Sequence, residues 1–162
     1  KNGNYACQYQ AGADRISLTL GSSKELGKQI FDTYWKRNKA IKVVAEEQIV
    51  KGLTISGEKR MFLWNPVAQI WYPLRYMKDR FSTLVQGTAA YGFDLWVRNV
   101  LQERPQITAQ FHDEGVWMVK KGHREQMTAL LRGAIDKTNE QLGLNVKLDI
   151  GIQYGSDYAQ IH

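Results

Sequence analysis

The stretch from Leu74 to Pro105, LRYMKDRFSTLVQGTAAYGFDLWVRNVLQERP, constrains the fold more than any other part of the chain. It reads as one long helix, stopped at Pro105 because proline has no N–H to donate and its ring clashes with the preceding turn. Phe81, Leu84, Val85, Leu95, Val97 and Leu101 give it a broad apolar face, which must pack against other elements. Directly after it, QFHDEGVWMV sets two apolar runs around His112, Asp113 and Glu114. That is the pattern of a strand over 107–112, a tight turn and a strand over 115–120.

The flanking segments fill in an α/β (α+β) chain. Residues 1–10 read as the end of a helix closed by AGAD. Ser22 or Ser23 caps the next helix, with Leu26, Ile30, Phe31 and Tyr34 on one side. A break at Asn38 and Lys39 opens another, carrying Ile41, Val44, Ile49 and Val50. RMFLWNPVAQIWYPL alternates aromatic and aliphatic residues around Asn65-Pro66, a hairpin signal. A helix over about 122–141, ended by Gly143, precedes a last strand, VKLDIGIQY, and the tail SDYAQIH. No internal repeat is visible. The expected architecture is an antiparallel sheet backed by helices.

Charge narrows the partners. Residues 1–80 hold 14 Lys/Arg against 7 Asp/Glu, whereas residues 81–162 hold 8 against 9. A basic half beside a near-neutral one favours a polyanion, with nucleic acid ahead of membrane. The single cysteine, Cys7, excludes an internal disulfide and a Cys-built zinc site, and fits a reducing, cytoplasmic compartment. No apolar run approaches the length of a membrane span and no signal-peptide pattern is present.

Three clusters could carry chemistry, and each has a plainer explanation. His112-Asp113-Glu114 at a hairpin tip could hold hard cations through carboxylate oxygens, or could be a solvated turn. Gln86-Gly87-Thr88-Ala89-Ala90 gives a helix little side-chain bulk, admitting either a nucleic-acid groove or a tightly packed helix. Lys1, Tyr5 and Tyr9 fall at i, i+4, i+8 on one helix face, offering a phosphate contact and stacking surfaces, or a stripe that merely packs.

In order, Lys-x₃-Tyr-x₃-Tyr, then Gln-Gly-Thr-Ala-Ala on a helix, then strand–His-Asp-Glu–strand resembles the C-terminal part of family A DNA polymerases. This is the DNA polymerase I group, and the sequence looks closest to polymerases of tailed phages. The resemblance extends over essentially the whole chain, to the tail ending in His162. It implies a partial right-hand fold, with residues 1–60 in the fingers and 61–162 in the palm. The implied activity is template-directed transfer of dNTPs to a primer 3′ end with two Mg²⁺ ions, in the cytoplasm of a host cell.

Residue by residue, the resemblance implies that Lys1 contacts the incoming phosphates and can protonate the leaving pyrophosphate. Tyr5 stacks near the sugar and base, and Tyr9 lies at the template end of the same helix. Gln86 faces the minor groove of the primer–template, with Lys78 or Arg80 in the place of a family arginine. His112 lies near the primer terminus, Asp113 binds the metals and Glu114 assists. The pattern departs from the family at Ala6 and Gln10, where glycine is usual, and at Ser82 and Val85, where asparagine is common. The second metal-binding Asp of the family lies upstream of the fingers helix, so an N-terminal polymerase part, as a separate chain or a missing segment, is expected to complete the site. The rival expectation is a non-catalytic nucleic-acid-binding relic of the same fold.

Overall fold

A computed structural model describes residues 2–9, 11–104 and 106–161. The chain forms a mixed α/β structure in two compact units, residues 1–88 and 89–162.

The first unit opens with helices α1 (Asn2–Gln8), α2 (Ala13–Leu20), α3 (Lys24–Arg37) and α4 (Lys39–Glu47). Helix α2 lies in a stretch where the sequence reading placed no element. Gly12 precedes it, and Gly21 closes it in the left-handed region at φ 60°, the conformation glycine adopts without strain. Ser23 caps α3, its hydroxyl accepting from the Leu26 N–H at 3.3 Å, and Lys36 and Arg37 sit favourably in the last turn. Cys7 and Ile16 are fully buried here, and burial pushes the Cys7 thiol up, which keeps it neutral and unreactive.

One expected helix is shorter than its periodicity suggests. α4 stops at Glu47, Ile49 lies between the elements, and Val50 opens a strand instead. The Gln48 amide donates to the Val44 carbonyl at 2.8 Å, satisfying a helix-end acceptor. The Ile49 carbonyl then accepts from the Trp64 N–H at 2.9 Å. Branched side chains at 49 and 50 favour that extended backbone.

Strands β1 (Val50–Ile55), β2 (Glu58–Asn65) and β3 (Ile70–Leu74) form an antiparallel three-stranded sheet in the order β1-β2-β3. The Asn65-Pro66 hairpin expected from sequence is therefore present. Asn65 itself shapes the turn: its side-chain oxygen accepts from the N–H groups of Val67 and Ala68, each at 3.0 Å. A 3₁₀ turn (Met77–Asp79) then leads into α5 (Arg80–Glu103), whose first residues belong to this unit.

In the second unit, the remainder of α5 is followed by β4 (Ala109–Phe111), β5 (Glu114–Val116), α6 (Arg124–Leu142) and a 3₁₀ turn (Tyr158–Gln160). Trp96, Val97 and Val100 of α5 pack against Met127, Leu131, Ala134 and Ile135 of α6. Gly143 ends α6 at φ 58°, as its position in the sequence suggests. Asn99 is buried and satisfied, donating to the Thr138 hydroxyl at 3.0 Å and to the Gln141 carbonyl oxygen at 2.8 Å.

Two strand expectations need correction. The hairpin strands are three residues each, not six, and they form their own two-stranded sheet apart from β1–β3. The segment 146–154, expected as a last strand, pairs with no neighbour among the described residues. A strand exists only through its ladder, and here side chains take that role. The Asn139 amide grips Leu148 from both sides, donating to its carbonyl at 2.9 Å and accepting from its N–H at 2.8 Å. Ile150 and Ile152 pack on the core. Among the described residues, no helix is long and apolar enough to cross a membrane.

Candidate functional site

The candidate residues fall in both units, and each group has its own geometry. In the first unit, α1 turns Cys7 inward and leaves Tyr5 and Tyr9 half exposed, at 50% and 47%. Lys1, the third member of that stripe, lies outside the described residues, as do Gln10 and His162. The Gln86 side-chain N–H donates to the Tyr9 hydroxyl at 3.3 Å. Two of the motifs singled out in the sequence therefore meet in space although 77 residues separate them.

The small residues of Gln-Gly-Thr-Ala-Ala have a packing reason. The Tyr72 hydroxyl donates to the Gly87 carbonyl at 3.1 Å, and a Cβ on Gly87 would meet the Tyr72 ring at 2.8 Å. Beside it, Asn65 donates to the Thr88 hydroxyl at 3.0 Å. Gly87 and Thr88 thus dock α5 on the sheet, while Gln86 one position earlier stays exposed. The plainer reading accounts for Gly87 and Thr88, and leaves Gln86 over.

Lys78, Arg80 and Ser82 serve the start of α5. Ser82 donates to the Asp79 carbonyl at 3.0 Å and the Arg80 Nε to the Met77 carbonyl at 3.1 Å. The Lys78 ammonium lies 5.7 Å from the centre of the Tyr76 ring, at the outer reach of a cation–π contact.

In the second unit, Phe111 pairs with Glu114, so His112 and Asp113 alone form the turn and Glu114 opens β5. His112 has φ 46°, the left-handed conformation that tight hairpin turns require at their first central position and that histidine tolerates better than most residues. His112 and Asp113 are exposed, and Glu114 is half-buried. Gly115 follows because the Trp117 ring occupies the space a Cβ would need. Trp117 in turn meets Trp96 edge to face, ring centroids 5.5 Å apart. This aromatic contact anchors the residue that follows β5, the strand opened by Glu114.

No family model matches this sequence, and no curated protein matches it.

Asp113 and Glu114 supply the hard oxygen donors that Mg²⁺ prefers. No group of three or more His, Cys, Asp or Glu able to hold a metal occurs among the described residues. The pair fits a cation in donor chemistry and by itself offers fewer than three such ligands. A groove of about 690 Å³ flanks the hairpin, lined by Phe111, Tyr154 and Tyr158 and by the cations Lys120, Lys121 and Arg124. Sequence reasoning passed over these cations, although the run KKGHR is a visible basic cluster.

Proposed function

We propose that this chain is the C-terminal fingers-and-palm portion of a family A DNA polymerase, transferring dNTPs to a primer 3′ end with two Mg²⁺ ions. The observation that carries the reading is the hydrogen bond between Gln86 and Tyr9. It joins the tyrosine helix to the Gln-Gly-Thr-Ala-Ala helix, the two elements that the resemblance assigns to nucleotide and primer–template. The exposed Asp113 on a two-residue turn supports it further.

In this reading, Lys1 and Tyr5 bind the incoming nucleotide, and Tyr9 and Gln86 face the nascent pair. Gln86 carries both a donor and an acceptor, and minor-groove acceptors are nearly the same for every base pair. An amide there checks pair shape without reading sequence. His112 lies by the primer terminus, and Lys78, Arg80 and Ser82 lie along the DNA. Asp113, assisted by Glu114, would hold Mg²⁺, whose chemistry is to neutralise charge on the transferring phosphate. A second carboxylate, from polymerase residues outside these 162, completes the site.

The test is primer extension by the complete protein carrying Asp113→Ala. Extension should vanish while primer–template binding persists. Near-normal extension would sink the metal assignment. Primer–template binding without extension by the unaltered complete protein would point to the non-catalytic relic instead.

A further inference from the structure

The three-stranded sheet of the first unit has two different faces. Directly opposed residues of antiparallel strands share a face, and alternate residues along a strand change face. Leu63, Asn65 and Tyr72 lie on the side that docks the start of α5. The other side carries Lys51, Leu53, Arg60, Phe62, Trp64 and Trp71. Trp64 and Trp71 pair with ring centroids 5.3 Å apart and planes tilted by 52°. The Lys51 ammonium lies 4.8 Å from the centre of the Trp71 ring. Trp71 keeps 36% and Leu53 52% of its surface exposed.

Burial against another protein does not explain this face well, because interface centres are depleted in charge and lysine is disfavoured there. Here lysine sits over the exposed Trp71 ring. Lys51 has no carboxylate partner among the described residues. Among the described residues, Arg60 pairs only with exposed Glu58 of its own hairpin, at 3.1 Å, a contact that water weakens and a phosphate can displace. The unit as a whole is strongly basic, with 14 Lys/Arg against 7 Asp/Glu in residues 1–80. Aromatic rings flanked by cations on an open sheet are what single strands use: bases stack, phosphates pair.

The geometry points to a docking surface for single-stranded DNA, with bases stacking on Trp71 and Phe62 and with Lys51 and Arg60 on the backbone. A base that takes the Trp71 ring displaces the Lys51 ammonium towards the adjoining phosphate, so the cation–π contact is exchanged for an ion pair. DNA is favoured over RNA because the six side chains named offer donors and no acceptor, so the proton of a 2′-OH would lose water without gaining a partner. This surface is separate from the proposed catalytic residues and does not depend on their assignment.

The experiment measures anisotropy of a fluorescent oligo(dT) with the full chain over a salt series, using wild type, Trp71→Leu, Trp71→Phe and Lys51→Gln. Trp71→Leu should weaken binding by about tenfold or more, and Trp71→Phe should keep most of it. Lys51→Gln should lower the slope of log affinity against log salt by about 0.7. Oligo(U) should bind more weakly than oligo(dT), and poly-glutamate should compete poorly. Unchanged affinity in Trp71→Leu would overturn the surface, as would poly-glutamate competing as well as DNA, which would assign an acidic polypeptide. If Trp71→Leu fails to fold, the Trp71→Phe affinity and the Lys51→Gln slope decide. Primer extension is not a readout, so failure of the polymerase reading registers separately.

Discussion

Gln86 on α5 donates a hydrogen bond to the hydroxyl of Tyr9, immediately after α1, at 3.3 Å. Both groups are exposed or partly so, and the bond contributes little to folding, because exposed polar pairs exchange readily with water. Gln86→Ala should therefore shift unfolding free energy by less than about 0.5 kcal/mol. If the chain acts as the proposed polymerase, the same change in the complete protein should slow extension and relax discrimination between matched and mismatched primer ends. Parallel urea melts and mismatch-extension assays give both numbers. Equal fidelity in the two forms would remove Gln86 from the DNA surface.

Asn65 is the structural counterpart of Gln86. Fully buried, it donates to the Thr88 hydroxyl and accepts from the N–H groups of Val67 and Ala68. Asn65→Ala strands those donors away from water, at a cost of about 2–4 kcal/mol. The urea midpoint should fall accordingly. A change below about 0.5 kcal/mol, the range of ordinary surface substitutions, would mean that the turn and α5 are held by other contacts.

Gly87→Ala tests why the Gln-Gly-Thr-Ala-Ala helix carries a glycine. The added methyl would press on the Tyr72 ring at 2.8 Å, and overpacking of this kind costs about 1–3 kcal/mol. Tyr72→Ala should be costly alone, yet the double variant should be less destabilised than the sum of the two, because the clash disappears. Additive losses would place the Gly87 requirement elsewhere.

Tyr5 is half exposed on α1, where the resemblance places a sugar contact. On the proposed reading, its phenol replaces the contact a missing 3′-hydroxyl would have made, so a dideoxynucleotide should lose little on binding. With Tyr5→Phe that compensation disappears, and preference for the normal nucleotide should rise by roughly 1–3 kcal/mol, about tenfold to a hundredfold. Competitive incorporation of dideoxy- against deoxynucleotides by the complete protein measures it. Identical selectivity in both forms would show that Tyr5 does not face the sugar.

By itself the sequence determined whatever depends on a few neighbouring residues. Ser22 or Ser23 caps a helix, Gly143 ends one, Asn65-Pro66 turns a hairpin, and His112-Asp113-Glu114 marks a second, because each acts on backbone within one or two turns of itself. The fold chose Ser23 as the cap and moved Glu114 from the turn into β5. Tertiary structure decided what depends on a distant partner. Ile49 and Val50 continue a helical periodicity, but the Trp64 N–H on the facing strand bonds the Ile49 carbonyl and Val50 opens β1. Residues 146–154 alternate like a strand, yet the Asn139 amide and the α5–α6 core hold them without a ladder. Nothing local in Gln86 or Tyr9 announces that they touch, since their bond closes a loop of 77 residues. Side-chain chemistry and short-range backbone preference are written residue by residue, whereas strand pairing and long-range contact exist only after the chain has brought its partners together.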